Sequence, residues 1–333
     1  MTSPAIARRT LVRASALAPL ALPWIGGRVS AQTITLRSAD THPDGYPTVE
    51  AVKFMGRLVE ERSAGRLRIQ LFHSRQLGEE RETLEQTRFG VIDLNRVNFG
   101  PLNNLVPETV VPGLPFVFRD EAHMRRVMDG TIGDEIIAGA DRHGFVGLCY
   151  YDSGARSFYT RGRAARTPED MRGLKIRVQQ SDLWVAIMRA VGANATPLPF
   201  GEVYSALQTG VVDGAENNWP SYHSTRHFEV AKHYCVTEHS MSPEILVASK
   251  RSFDRLPRDL QGILRQAAKE SVGEMRRLWD AQTEASKQAV TAGGSLVNDV
   301  DKEAFARAMA PVYDQFARDP RMRALVNRIR EAA

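Results

Sequence analysis

Cysteine is scarce in this chain: Cys149 and Cys235 are the two thiols among 333 residues, so at most one disulfide can form. Both fall in strand-like runs, and a bridge would need their Cα atoms within about 7 Å, a condition that spacing leaves open. Long apolar runs are scarce as well. Beyond the N-terminal segment nothing approaches the ~20 apolar residues of a membrane-spanning helix, which excludes a polytopic membrane protein. The chain has no internal repeat and no low-complexity linker, so solenoid and disordered classes drop out. Also missing are Gly-x-Ser-x-Gly, a Walker loop, Gly-x-Gly-x-x-Gly and His-Glu-x-x-His, the signatures of a nucleophile elbow, a phosphate cradle, a dinucleotide site and a zinc protease.

What remains is a chain 43% hydrophobic and 25% charged, the balance of a globular protein, with 44 basic residues against 39 acidic ones and a net charge of +5. The excess is local. Residues 1–31 read as an export signal: Arg8 and Arg9 open it, a mostly apolar stretch runs from Ala14 to Ile25, and Val29-Ser30-Ala31 offers a small-residue cleavage site. The Arg-Arg-Thr-Leu-Val-Arg run is a loose match to twin-arginine (Tat) export and leaves Sec export open. The apolar stretch is too short to span a bilayer and is interrupted by Pro19 and Pro23, so no stable membrane insertion is expected after cleavage. Removing its four arginines leaves 40 basic against 39 acidic residues, so the mature periplasmic protein would carry no general basic patch for nucleic acid.

A mature chain of about 300 residues exceeds what one core usually serves. Its hydrophobic period switches repeatedly between 2 and 3.6, an α/β signature. Strands are predicted over 34–38, 67–72, 91–97, 145–151, 174–178, near 195, and over 211–216, 234–238 and 244–248; they alternate with helices such as 48–63, 79–89, 182–191 and 200–209. Right-handed crossovers would make the sheet of the first strand–helix–strand run mainly parallel. From Pro257 a stripe of Leu260, Ile263, Leu264, Ala267, Val272, Met275 and Leu278 continues towards Ala292, and a helix of that length, about 50 Å, would lie across two lobes. Helices over 303–317 and 322–332 end the chain. The expected division is residues 32–152 plus about 240–280 in lobe I and 153–239 plus about 281–333 in lobe II, joined by hinge strands around a cleft.

His223 and His227 stand four apart, as a zinc pair would, but no third ligand follows at a usual spacing and no metal is expected. Asp213 and Glu216 flank a strand end, where turn and cap roles outweigh acid–base work. More informative is Gly173-Leu174-Lys175-Ile176-Arg177-Val178, whose alternation puts Lys175 and Arg177 opposite Leu174, Ile176 and Val178. An arginine at the C-terminal end of a parallel strand sits where open α/β sheets bind ligands, and its planar fork can hold a carboxylate by two hydrogen bonds. A surface ion pair is the reading that position alone leaves open. Arg156 lies just past the strand leaving lobe I, flanked by Tyr150, Tyr151, Phe158 and Tyr159, which suit a cleft wall or a strand core equally. Asn217, Asn218 and Trp219 end another strand with amides and an indole, groups that suit a hydroxylated ligand.

Five segments carry a family resemblance: Gln76-Leu77-Gly78-Glu79-Glu80-Arg81, Gly113-Leu114-Pro115-Phe116, Met171 to Val178, Pro197 to Tyr204, and Ala206 to Asn217. In this order and spacing they resemble the extracytoplasmic solute-binding subunits of TRAP transporters, the DctP-type family, over essentially all the mature chain. The resemblance implies a two-lobed α/β periplasmic binding protein with a long lobe-spanning helix, no covalent chemistry, no cofactor, and TRAP membrane subunits as partners. It makes Arg177 the arginine that pairs with the ligand carboxylate, Asn217 an amide contact to that carboxylate, and Arg156 a support for the acid group. Phe200 becomes an aromatic wall and Gln180 a polar position, while Glu80, Asn98 and Asp40-Thr41-His42 fall where the rest of the ligand is contacted. The family commonly has Glu-Asn-Pro where Asn218 and Trp219 follow Asn217 here, a departure expected to reshape the pocket, with Trp219 at its edge. The run Asp40 to Pro47 resembles a loop of members that take sugar acids, with Glu79 or Glu80, Asn98 and His42 available to ring hydroxyls, although Pro-Asp-Gly-Tyr is also a good turn by itself. The function expected is capture of a small carboxylate, a hexuronate or related sugar acid, by arginine pairing and cleft closure. Another organic acid (a C4-dicarboxylate, aromatic or keto acid) is the alternative ligand, and a secreted carbohydrate-active enzyme is the alternative of another class.

Overall fold

The alternating segments fold into short strands that sort into two sheets. In the computed structural model, which describes residues 1–2 and 33–332, they are β1 (Ile34–Ala39), β2 (Leu67–Phe72), β3 (Leu94–Asn98), β4 (Phe145–Tyr151), β5 (Arg156–Thr160), β6 (Lys175–Val178), β7 (Asn194–Pro197), β8 (Gly214–Asn217), β9 (His233–Ser240), β10 (Glu244–Ser249) and β11 (Leu296–Asn298). The export segment expected over 1–31 thus lies, past its first two residues, outside the described residues. One sheet has the order β2-β1-β3-β10-β4 and the other β11-β9-β5-β8-β6-β7. Among the described residues no helix is long and apolar enough to cross a membrane.

The first sheet is not mainly parallel, contrary to expectation, whereas in the second three of the five pairings are parallel. The chain leaves the first sheet through Asp152 to Ala155 and returns through Met241 to Pro243, so β4–β5 and β9–β10 form two neighbouring paths that traverse both sheets in opposite directions. β10 is therefore antiparallel to β3 and β4, and β9 antiparallel to β5, while β1–β2, β1–β3, β6–β7 and β6–β8 keep the parallel pairing of strand–helix–strand units. β5, around Arg156, is a strand that short-range periodicity does not separate from β4. Its Phe158 and Tyr159, with Tyr150 and Tyr151 of β4, are buried, which makes these aromatics strand core. Cys149 and Cys235 are free, buried and in different sheets.

The helix Arg258–Ala292 packs its N-terminal half on the helix Pro47–Arg62 and on β4, and then meets the helix Trp219–Ser224 beside the second sheet. Leu260, Leu264, Ala267, Ala268 and Met275 on its buried stripe join Val49, Val52, Met55 and Leu246 in one core. Trp279, from the same helix, seals the outgoing connection. Gly154 there has φ +58°, and a Cβ would sit 3.0 Å from the Trp279 ring, so both the backbone conformation and the close approach require glycine. Pro311 divides the helix expected over 303–317 into Lys302–Met309 and Pro311–Phe316, because proline offers no N–H to continue the ladder. The last helix, Pro320–Glu331, packs back on the first half of the chain: the Ile329 carbonyl lies 2.9 Å from His123 Nε2, and Arg328 pairs with Glu135 at 2.6 Å.

Candidate ligand-binding site

Strand ends from both sheets converge on two small adjoining chambers, of about 20 and 10 Å³, which share Glu80, Gln179 and Phe200. The larger is lined further by His42, Arg96, Asn98, Arg156, Asn217 and Glu244, the smaller by Glu79, Arg177, Gln180 and Leu198. Of the residues expected at the ligand, all but Asp40, Asn218 and Trp219 line these chambers. That ring stacks on Tyr234 with centroids 3.6 Å apart and lines neither chamber. Asn218 does not reshape the pocket either: its Oδ1 accepts from Ser221 N at 2.8 Å, capping the next helix, and its Nδ2 donates to the Ser153 carbonyl at 2.8 Å. Of three larger hollows, those of about 780 and 400 Å³ contain none of the candidates, and one of about 200 Å³, lined by Arg75, Gly201 and His227 among others, shares Phe200 with both chambers.

Three buried arginines dominate the charge here, and their partners differ. Arg96, on β3, donates from Nη1 to Glu80 at 3.0 Å, from Nη2 to Thr41 Oγ1 at 2.7 Å and to Asp40, and its Nη1 lies 3.2 Å from Glu244. Burial by itself would lower its pKa, but Asp40, Glu244 and Glu80 together raise it above the ordinary arginine value. Arg156, on β5, makes a bidentate pair with Glu216 of the adjacent β8, Nε to Oε2 at 2.5 Å and Nη2 to Oε1 at 2.9 Å, and lies over the Trp184 ring. Neither Glu216 nor Asp213 is a turn or cap residue: Glu216 is half of a buried ion pair, and Asp213 accepts from Lys175 N at 2.8 Å, tying the start of β8 to the start of β6.

Arg177 is different. Its Nε and Nη2 both donate to the Leu198 carbonyl, at 3.0 and 2.6 Å, which fixes the guanidinium plane, yet among the described residues no carboxylate forms a salt bridge with it. Burial is the largest influence and holds its pKa below the ordinary arginine value, the direction expected of a desolvated cation without a full counter-charge. An unpaired buried charge is costly. It is also the group whose environment improves most when an anion arrives.

The opposite wall comes from the first half of the chain. His42 stacks on Tyr46 at 3.7 Å and meets Phe200 edge-on at 5.3 Å; burial, then Arg96, lower its pKa to about 3, so the ring is neutral. Glu80 Oε1 accepts from Asn98 N at 3.0 Å as well as from Arg96, and Asn98 Nδ2 donates to Ser153 Oγ at 3.3 Å. Glu79 Oε1 accepts from Gly201 N at 3.2 Å, and Tyr46 Oη lies 2.9 Å from Ser221 Oγ. These last contacts join the two walls. Chambers of this size hold about one water each, so admitting a larger molecule requires the walls to part. Sequence reasoning missed Arg96, Glu244, Gln179 and Ser221; strand parity does place Arg96 on the same face of β3 as Asn98.

The profile of bacterial extracellular solute-binding protein, family 7 (DctP) matches residues 38–319. A TRAP periplasmic solute-binding protein of Bradyrhizobium sp. BTAi1, solved in complex with α/β-D-galacturonate, is 55% identical with a TM-score of 0.88, over 90% of this chain and 100% of that one. The TRAP protein of Chromohalobacter salexigens, solved with bound D-glucuronate, is 40% identical with a TM-score of 0.87 over the same shares. The 2,3-diketo-L-gulonate-binding periplasmic protein of Escherichia coli is 32% identical over 304 residues, 89% of this chain and 92% of that protein.

Proposed function

Because the chain belongs to bacterial extracellular solute-binding protein family 7, we propose that it captures a hexuronate, galacturonate or glucuronate, in the periplasm and delivers it to the membrane subunits of a TRAP transporter. The observation that carries this reading is Arg177: a buried, oriented guanidinium without a carboxylate partner, beside a second arginine and the Asn217 amide. The ligand carboxylate docks on Arg177 with Asn217 and Arg156 at its flank, and Phe200 covers the ring. The wall of His42, Glu80 and Asn98 then closes over the hydroxyls. Only contacts made in the closed state alone can favour closure, and exclusion of water strengthens the ion pair inside.

In this reading lobe I comprises 32–152 plus about 240–280 and lobe II 153–239 plus about 281–333, with the last helix riding on lobe I and the paired crossings serving as hinge. Export uses the segment 1–31, by the Tat or Sec route. Binding needs no bond making and no cofactor. A thermal-shift series tests the ligand class: a uronate at 100 times its dissociation constant adds about 2.7 kcal/mol of stability. A shift with succinate or an aromatic acid, and none with either uronate, overturns the assignment.

A further inference from the structure

Glu244 is the first residue of β10, paired across the sheet with Asn98 on one side and Tyr151 on the other, where the returning chain enters the first sheet. It is 2% exposed and lines the larger chamber beside His42 and Arg96. Although Arg96 Nη1 lies 3.2 Å from its Oε2, that oxygen has no hydrogen-bond partner, and around the rest of the carboxylate stand Ser153 Oγ at 3.5 Å, the neutral His42 Nε2 at 3.7 Å and the Asn98 amide. Arg96 directs its hydrogen bonds to Asp40, Glu80 and Thr41 instead. Three further atoms on the same chamber's lining residues lack partners, Gln179 Oε1, His42 Nδ1 and Arg96 Nε, and all three residues are buried. Buried polar atoms are ordinarily satisfied, so four orphans on the residues of one chamber call for a missing partner. Glu244 Oε2 and Gln179 Oε1 can only accept, and an ionised carboxylate ligand has no hydrogen to give them; a hydroxyl can both give one to these oxygens and accept from a donor such as Arg96 Nε. Glu80, the acceptor expected from the sequence, already has its Oε1 taken by Arg96 and the Asn98 backbone N–H.

We infer that Glu244 is a specificity-determining residue that accepts a hydrogen bond from a ring hydroxyl of the bound acid, with Gln179 Oε1 as a second acceptor from the facing wall. This rests on the uronate reading above and deepens it: the ligand must carry hydroxyls away from its carboxylate, and plain dicarboxylates are rejected because they leave these acceptors buried and unpaired. Calorimetry on the mature protein with D-galacturonate, D-glucuronate and the monodeoxy galacturonates, for wild type and Glu244→Gln, tests it. Wild type should lose roughly tenfold to a hundredfold in affinity for the deoxy acid that lacks the hydroxyl read by Glu244, whereas Glu244→Gln should lose that much for galacturonate itself and little more for that analogue. Glu244→Asp keeps the charge beside Arg96 while shortening the reach, so it should fold and show the same lost discrimination. If wild type binds uronates but the variants discriminate among the deoxy acids as wild type does, Glu244 reads no hydroxyl and water satisfies it. If wild type binds neither uronate, the uronate reading and this inference fall together.

Discussion

Arg96 and Arg177 are both buried at strand ends of the same cleft, one on each sheet, and they do opposite things. Arg96 is surrounded by Asp40, Glu80 and Glu244, so its charge is neutralised within its own wall. Arg177 has a backbone carbonyl and no carboxylate salt bridge. A buried cation that is already paired organises structure; one that is left unpaired invites an anion. The difference lies in the neighbours and not in the residue.

The sharpest way to break this comparison is to remove each arginine in turn. Arg96→Ala should cost about 3–5 kcal/mol of folding stability, because three carboxylates lose their shared counter-charge; urea unfolding measures it, and a change below about 1 kcal/mol would erase the distinction. Arg177→Ala should instead cost about 2–5 kcal/mol in ligand binding, with a much smaller change in unfolding free energy. Calorimetry showing undiminished affinity would remove Arg177 from the site. Arg177→Lys should bind nearly as poorly, since charge without the planar fork does not reproduce two parallel hydrogen bonds.

Acid sharpens the comparison further, because each wall holds a neutral buried histidine. His42 and His227 have folded pKa values of about 3 against an ordinary 6.5, chiefly through burial, so between those values the unfolded chain binds protons that the folded one does not. Their contribution is complete above pH 6.5 and is lost as pH falls towards 3, at about 1.4 kcal/mol per pH unit for each ring. Carboxyls with raised values, such as the half-buried Glu121 at about 7, work in the opposite direction, so the decisive measurement is the change in slope on His42→Gln or His227→Gln, expected to be one proton each. The smallest effect concerns the contact between walls. A Cβ on Gly201 would lie 2.4 Å from Glu79 Oε1, so Gly201→Ala should displace that hydrogen bond. Because the obstructing atoms are ends of flexible side chains, the loss in affinity should be about 1 kcal/mol, read by calorimetry.

Much of this molecule is legible in local pattern. The strand over Lys175–Val178, the helix Arg258–Ala292 and the order of units follow from periodicity, which depends on residues a few positions apart. The antiparallel crossings are not legible that way, since nothing within β10 states that its neighbours are β3 and β4. Trp219 shows the same limit: an indole at a strand end suits a ligand or a core, and Tyr234, on a later strand, claims it. Glu216 looks like a turn residue until Arg156 arrives from the adjacent strand.

By itself, the sequence determined the alternation of strands and helices, the near-neutral charge beyond the first 31 residues, and the positions of Arg156, Arg177 and Asn217 at strand ends. Tertiary structure alone decided which of these charges is paired. Propensity and alternation act through neighbours in the chain, whereas the state of a buried charge depends on oxygen atoms within a few ångströms, supplied by segments that only folding brings together. Arg96 and Arg177 are the same residue type on strands of the same kind; three carboxylates around one, and none bonded to the other, make them different groups.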